Sequence, residues 1–196
     1  MTARPAPSAQ TDRSAEGSEA ALDVSILVVG YRSLRHLDAS IGGAWRGLGR
    51  LRGEVLFVDC SDDGSAAFVR GRHPSTRILE GAGNLGFAGG NNRLARDARG
   101  ELLLLLNPDT VPRGDEIERL VELSRATPDA GIWGGRTVLP DGSPDHGSHQ
   151  RGLSPGALLV SALGLHRILP GALPYGARAG VRRVEVVSGA FLLVRR

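Results

Sequence analysis

Apolar residues in this chain gather into short unbroken runs, separated by segments in which they recur at helical spacing. Val24–Gly30 (Val-Ser-Ile-Leu-Val-Val-Gly) is one such run, rich in β-branched residues and too short for a helix, so it predicts a buried strand. Leu34, Leu37, Ile41, Trp45 and Leu48 then repeat at intervals of three and four, which predicts a helix that Ser33 can cap. Val55–Asp59 is a second buried strand and Arg77–Leu79 a short third one. Phe87, Leu94, Ala95 and Ala98 share one helical face, with Gly100 as a stop. Leu102–Leu106 is apolar at every position, as a strand covered on both faces must be. Ile117, Leu120, Val121 and Ser124 mark a further helix closed by Thr127-Pro128, and Gly131–Leu139 reads as a strand before a Pro-Asp-Gly turn at 140–142. Pro155–Ile168 is apolar enough for a helix. Arg183–Val187 and Ala190–Val194 read as two strands joined at Ser188-Gly189.

Strand and helix alternate, which implies an α/β fold with a mostly parallel sheet and right-handed crossovers. Ligands in such sheets lie beyond the carboxyl ends of the strands. Gly30, Asp59 and Asp109 all fall there, so the three positions are expected to converge.

Composition narrows the class. A chain of 196 residues that is 41% hydrophobic suffices for one α/β domain with a real core. Residues 1–22, rich in Ala, Ser, Pro, Thr and Glu, lack an apolar stretch and are expected to be a disordered tail, not a signal peptide. The domain is then 23–196. All 24 basic residues are arginine, which reads as codon bias before it reads as function, and they alternate with acids along the chain. With a net charge of +3 and 4% aromatics, a general attraction to phosphate is expected, but not a dedicated nucleic-acid surface. A single cysteine, Cys60, excludes an internal disulfide and a Cys-rich zinc site, and fits a reducing cytoplasm. No run reaches the roughly 18 apolar residues of a spanning helix. Pro155–Ile168 is open to two readings, a core helix or an element resting on the inner face of the cell membrane.

Candidate chemistry clusters between Asn84 and Thr110. Asn84-Leu-Gly-Phe-Ala-Gly-Gly-Asn-Asn92 is a glycine-rich turn leading into a helix. It offers backbone N–H groups and a positive dipole end to an anion, or it serves only tight packing. It is neither a Rossmann fingerprint nor a P-loop. Asn107-Pro-Asp-Thr110 ends the leucine strand. Asp109 there either caps the next helix or offers oxygen to Mg²⁺ or Mn²⁺. Asp59 either caps a turn or accepts a ring N–H from a uracil or thymine base. Asp62 and Asp63 either hold ribose hydroxyls or are ordinary turn residues. Cys60, with no histidine near it in sequence, reads as a packed thiol. Asp141, Asp145, His146 and His149 have metal-ligand spacing, but in a Gly/Ser/Pro loop with no helix to fix their geometry.

Several motifs occur together and in order. They are Val24-Ser-Ile-Leu-Val-Val-Gly-Tyr31, Val58-Asp59 with Asp63-Gly64-Ser65, Asn84–Asn92, Leu104-Leu-Leu-Asn-Pro-Asp-Thr110 and Val187-Ser-Gly-Ala-Phe-Leu-Leu-Val-Arg195. This set resembles the family 2 inverting glycosyltransferases of GT-A fold, and within them the bacterial rhamnosyltransferase-like branch. The resemblance implies metal-dependent transfer of a sugar, rhamnose in that branch, from a dTDP- or UDP-linked donor to a cell-envelope saccharide or lipid-linked acceptor, with inversion. It implies that Asp59 binds the base and Asp109 binds the metal, with Asn107 in the first place of a D-x-D-like element. It places Tyr31, Asp63, Asn84, Gly86, Gly89, Gly90 and Asn91 around the donor, and Ser188, Gly189 and Ala190 beside the sugar and acceptor.

The departures from the family pattern also carry information. The usual Asn-Tyr-Asn is Gly30-Tyr31-Arg32, and the acidic turn after Asp59 is one residue shorter. The family's Glu-Asp element with the general base is expected beyond Arg196, so the resemblance implies a C-terminally short chain with an incomplete acceptor side. A non-catalytic nucleotide-sugar-binding module is the alternative.

Overall fold

The computed structural model describes residues 21–80, 83–143, 145, 149–150, 163 and 180–196. Four parallel strands form the centre: β1 (Leu22–Gly30), β2 (Gly53–Asp59), β3 (Arg77–Leu79) and β4 (Gly100–Leu106). Their connections carry α1 (Leu34–Gly47), α2 (Ser65–Arg72) and α3 (Gly86–Asp97), and α4 (Glu116–Ala126) follows β4. Three short strands, β5 (Ile132–Gly134), β6 (His149–Gln150) and β7 (Val186–Val187), precede the last, β8 (Phe191–Arg195).

The main sheet has the order β3-β2-β1-β4-β8-β5. Val24 to Gly30 of β1 pair with Gly53 to Asp59 of β2, and Ile26 faces Leu104 of β4. β8 lies antiparallel between β4 and β5, with Leu104 opposite Leu193 and Trp133 opposite the same residue. The sheet is therefore mixed, with a parallel core as the strand–helix alternation predicts. β6 and β7 pair separately in an antiparallel ribbon.

Side-chain alternation divides the core into two layers. Val24, Ile26 and Val28 meet Leu37, Ile41 and Ala44 of α1, Val69 of α2, and Ile117 and Val121 of α4 on one face. Leu27, Leu56 and Val58 meet Leu94 of α3 and Ala98 on the other. Covering both faces is what permits Ile26–Val29 of β1 and Val55–Val58 of β2 to be apolar without interruption.

Several elements differ from the reading of the sequence. Ser33 precedes α1 but its side chain makes no capping bond; it is turned inward and buried. Leu34 is exposed, so the apolar face of α1 starts at Leu37. Gly100 opens β4 instead of merely ending a helix, and Phe87 stands half exposed instead of facing the core. The strand expected over Gly131–Leu139 is only Ile132–Gly134. The last ladder-like bond there runs from the Gly135 N–H to the Phe191 carbonyl, after which the chain turns away into a bend closed by Gly142 N–H to Leu139 O. Arg183–Val187 contributes only Val186 and Val187 to a strand, and these join the ribbon, not the main sheet. Of the tail predicted over 1–22, Leu22 already opens β1, and residues 1–20, most of the Pro155–Ile168 stretch and His146 lie outside the described residues. Among the described residues no helix is long and apolar enough to cross a membrane.

Candidate functional site

The carboxyl ends of β1, β2 and β4 share one edge of the sheet, as their parallel register requires. A cleft of about 290 Å³ opens there. Val29 and Tyr31 come from the end of β1 and Cys60 from the end of β2. Asn84, Gly86 and Phe87 come from the start of α3, and Asn107, Pro108 and Asp109 from the turn after β4. Five residues singled out in the sequence, Tyr31, Asn84, Gly86, Asn107 and Asp109, thus line one hollow.

Each is positioned by local physics. The Thr110 N–H bonds the Asn107 carbonyl at 3.0 Å, closing a four-residue turn with Pro108 in the second place, where its fixed φ is favoured. Asp109 is carried at the exposed tip of that turn. The turn is pinned from two sides: the Asn107 N–H donates to the Ala190 carbonyl of the β7–β8 connection, and the Ser40 hydroxyl of α1 donates to the Asn107 carbonyl. Gly86 has φ of 64°, a left-handed conformation that an L side chain resists, and its N–H bonds Asn84 Oδ1 at 3.1 Å. The Asn84 side chain thus satisfies one of the orphan donors at the start of α3.

The other predicted positions stand away from the cleft lining. The glycine cluster read as a turn is already helical from Gly86, so Gly89, Gly90 and Asn91 lie within α3. A Cβ on Gly90 would stand 2.6 Å from Val29 Cγ1; this glycine lets α3 approach β1. Asn91 is buried and its Nδ2 donates to the Phe87 carbonyl. Asp59 has both oxygens engaged. Oδ1 accepts from the Ser61 N–H and hydroxyl, and Oδ2 accepts from the Ala66 N–H in the first turn of α2. Asp63 accepts from the Ser65 N–H. Burial pushes its carboxyl up, but hydrogen bonds from Ser65, Ser61 and the Leu34 amide outweigh it and hold the group below the ordinary aspartate range. Asp62 is exposed. Cys60 is a buried free thiol, as expected.

Two residues that the sequence did not single out as site residues belong to this region. Phe87 lines the cleft, and its ring lies where a Cβ on Gly189 would be, 2.9 Å away. Arg32 extends over the Tyr31 ring with its guanidinium carbon 5.5 Å from the centroid. A gap in the helical apolar pattern at Phe87 was the only hint available for the first, and the departure from Asn-Tyr-Asn the only hint for the second.

Among the described residues no three His, Cys, Asp or Glu side chains gather as a metal cluster. Asp145 is bonded by the Thr137 hydroxyl and Asp141 by Ser143, while His146 lies outside the described residues. The cleft itself offers one carboxylate, Asp109, beside the amides of Asn84 and Asn107. That donor set suits a hard divalent ion which takes one or two protein carboxylates and completes its shell with phosphate and water. It does not suit zinc held by four protein ligands.

A model of glycosyl transferase family 2 matches residues 46–195, most of the described chain. The chain belongs to that family. This family 2 chain is 29% identical, over 158 residues, to the low-salt glycan biosynthesis hexosyltransferase Agl10 of Haloferax volcanii, a match covering 76% of this chain and 46% of that protein. It is similar in fold to the mannosyltransferase PcManGT of Pyrobaculum calidifontis, solved with GDP-Man and Mn²⁺, at 24% identity and a TM-score of 0.52, covering 58% of this chain and 35% of the other. Glucosyl-3-phosphoglycerate synthase of Mycobacterium tuberculosis, solved with UDP, matches 89% of this chain and 57% of its own at 13% identity, with a TM-score of 0.55. The architecture is thus GT-A type, and the family 2 chain spans between 35% and 57% of the length of these relatives.

Proposed function

We propose that residues 23–196 bind a nucleotide diphosphate-sugar and pass its sugar to a saccharide or lipid-linked acceptor, with inversion at the anomeric carbon. The observation that carries this reading is the cleft itself. In a chain of family 2, it brings the start of α3 and the Asn107–Thr110 turn to the same edge of the sheet as Tyr31. Asp109 is the residue to hold Mg²⁺ or Mn²⁺, with Asn107 and Asn84 beside it. The ion, when bound, supplies Lewis-acid neutralisation of the leaving diphosphate. The start of α3 lines the same hollow, and its positive dipole end favours negative charge there. Tyr31 offers a flat, half-exposed wall to a base or sugar.

Asp59 is the residue to accept the base N–H in this reading, and it also steadies the cleft wall. Its bonds to Ser61 and Ala66 fix the end of β2, against which Cys60 joins the cleft wall. Oδ2 accepts one N–H and keeps a lone pair that a base N–H can use. The relatives' GDP-Man and UDP make guanine and uracil donors both worth testing, alongside dTDP-rhamnose. The setting we favour is the cytoplasm, with acceptor contact at the inner membrane face.

The test uses the full chain with Mn²⁺ and a panel of UDP-, dTDP- and GDP-sugars, following binding by calorimetry and nucleotide release by chromatography. Metal-dependent binding with transfer or slow hydrolysis is expected. Binding without any release would leave a nucleotide-sugar-binding module, and no binding of any donor would overturn the reading.

A further inference from the structure

Among the described residues, Arg32 is the sole non-glycine residue with a positive φ, at 50°. An L side chain resists this region, so glycine or asparagine would be the easier choice where β1 ends. The conformation is held by the Arg32 N–H, which donates to Ser61 Oγ at 3.0 Å, while Ser61 Oγ donates to Asp59 Oδ1. The left-handed bend lays the guanidinium over the ring of Tyr31, and Tyr31 lines the cleft. Arg32 is exposed and makes no ion pair among the described residues. Arg35, one turn further on, donates to His36 and makes none among them either. A strained backbone therefore holds a permanent cation, without an ion pair among the described residues, over Tyr31 of the cleft lining. Strain of this kind concentrates at functional sites.

We propose that Arg32 recognises a phosphate group at the mouth of the cleft, a role that rests on the donor-binding reading above. Its planar guanidinium can stack on Tyr31 and still turn its N–H edge to phosphate oxygens, which an ammonium does less well. The phosphate is that of the nucleotide diphosphate or that of a phosphorylated acceptor; the chemistry is shared.

The test compares wild type, Arg32→Gly and Arg32→Lys in the full chain. Glycine removes the side chain while accepting the backbone conformation, so its melting temperature should stay level or rise. The probe is whichever of UDP, dTDP and GDP the wild type binds best, set against its own nucleoside. Deprived of a charge-assisted hydrogen bond, Arg32→Gly should bind the diphosphate about ten-fold more weakly or worse and the nucleoside as before, with Arg32→Lys in between. If diphosphate binding is unchanged but inorganic phosphate no longer binds the nucleotide-saturated variant, the phosphate belongs to the acceptor. Equal weakening of nucleoside and diphosphate would reduce Arg32 to packing on Tyr31 and overturn the proposal, as would no change in the binding of nucleoside, diphosphate and inorganic phosphate alike. Failure of the wild type to bind any nucleotide would sink the donor-binding reading instead, recognisably, because the variants then have nothing to differ in; the phosphate role falls with it.

Discussion

Asp109 owes its availability to Pro108. With φ fixed by the ring, Pro108 makes the turn closed by Thr110 N–H inexpensive, and the residue after it is carried to the tip, exposed to solvent. Removing its carboxylate should therefore cost little stability and much function. Asp109→Ala is expected to keep stability within about 0.5 kcal/mol, as surface substitutions do, yet to abolish the Mn²⁺ dependence of nucleotide binding. Calorimetry with and without the metal checks it. Arg32→Gly is expected to leave stability level or raise it by up to about 1 kcal/mol, left-handed strain being relieved against the greater unfolded-state freedom of glycine, as chemical denaturation will measure. At this scale the sequence identified residue types better than their engagements. Asp109 and Asp59 each had two readings from spacing alone. The hydrogen bonds show that Asp59 holds Ser61 and Ala66, while Asp109 accepts no bond from any described residue. The φ of Arg32 has no signature in the sequence, because arginine is not a residue that advertises a left-handed bend.

Among the elements, α3 decides the site, and Gly90 decides where α3 lies. With Val29 Cγ1 2.6 Å from where its Cβ would be, Gly90→Val should push the helix off β1. Overpacking of this kind typically costs about 1–3 kcal/mol, and here it should also displace Asn84 and Phe87 from the cleft. Denaturation and nucleotide affinity should fall together in this variant, whereas Asp109→Ala separates them. The sequence concealed the start of this helix. Three glycines in five residues read as a turn because glycine is a poor helix former, and the interactions that overrule it, the Asn84 cap and the packing on Val29, are tertiary or side-chain effects. Strands β1 to β4 were legible because each is a compact apolar run. β5 was overestimated because apolar Val138 and Leu139 continue its pattern after the backbone has left the sheet; both are exposed.

Across the molecule, the end of the sheet opposite the cleft is tied by one buried acid. Glu54 at the start of β2 accepts from Ser25 Oγ of β1, from the Arg99 N–H just before β4, and from the side chains of Arg77 and Arg99. Burial pushes its carboxyl up, but these donors outweigh burial and hold it below the ordinary value of 4.5. A folded-state value below the unfolded one means the stabilisation is complete above that ordinary value and is lost as pH falls through the lower folded one. Acid should therefore begin to erode this stabilisation just under pH 4.5 and remove it as pH falls further. Glu54→Ala should cost about 1–3 kcal/mol by leaving the buried Ser25 hydroxyl and the Arg99 N–H without their acceptor, and should flatten this part of the acid transition. Denaturant midpoints measured across acid pH test both. The parallel core followed from alternating strands and helices. The antiparallel insertion of β8 did not, since an apolar run such as Phe191–Arg195 is compatible with either direction.

That insertion has a kinetic consequence. β1 to β4 assemble through nearby crossovers, but Leu193 must find Leu104 and Trp133 across a long intervening stretch of chain, a closure whose entropy is spent before any pairing rewards it. Refolding after a denaturant jump should show an early burst from the β1–α4 half and a slower phase when the Trp133 fluorescence signal settles. During that interval the β4 edge stands open, and crowding at this stage invites intermolecular pairing and turbidity.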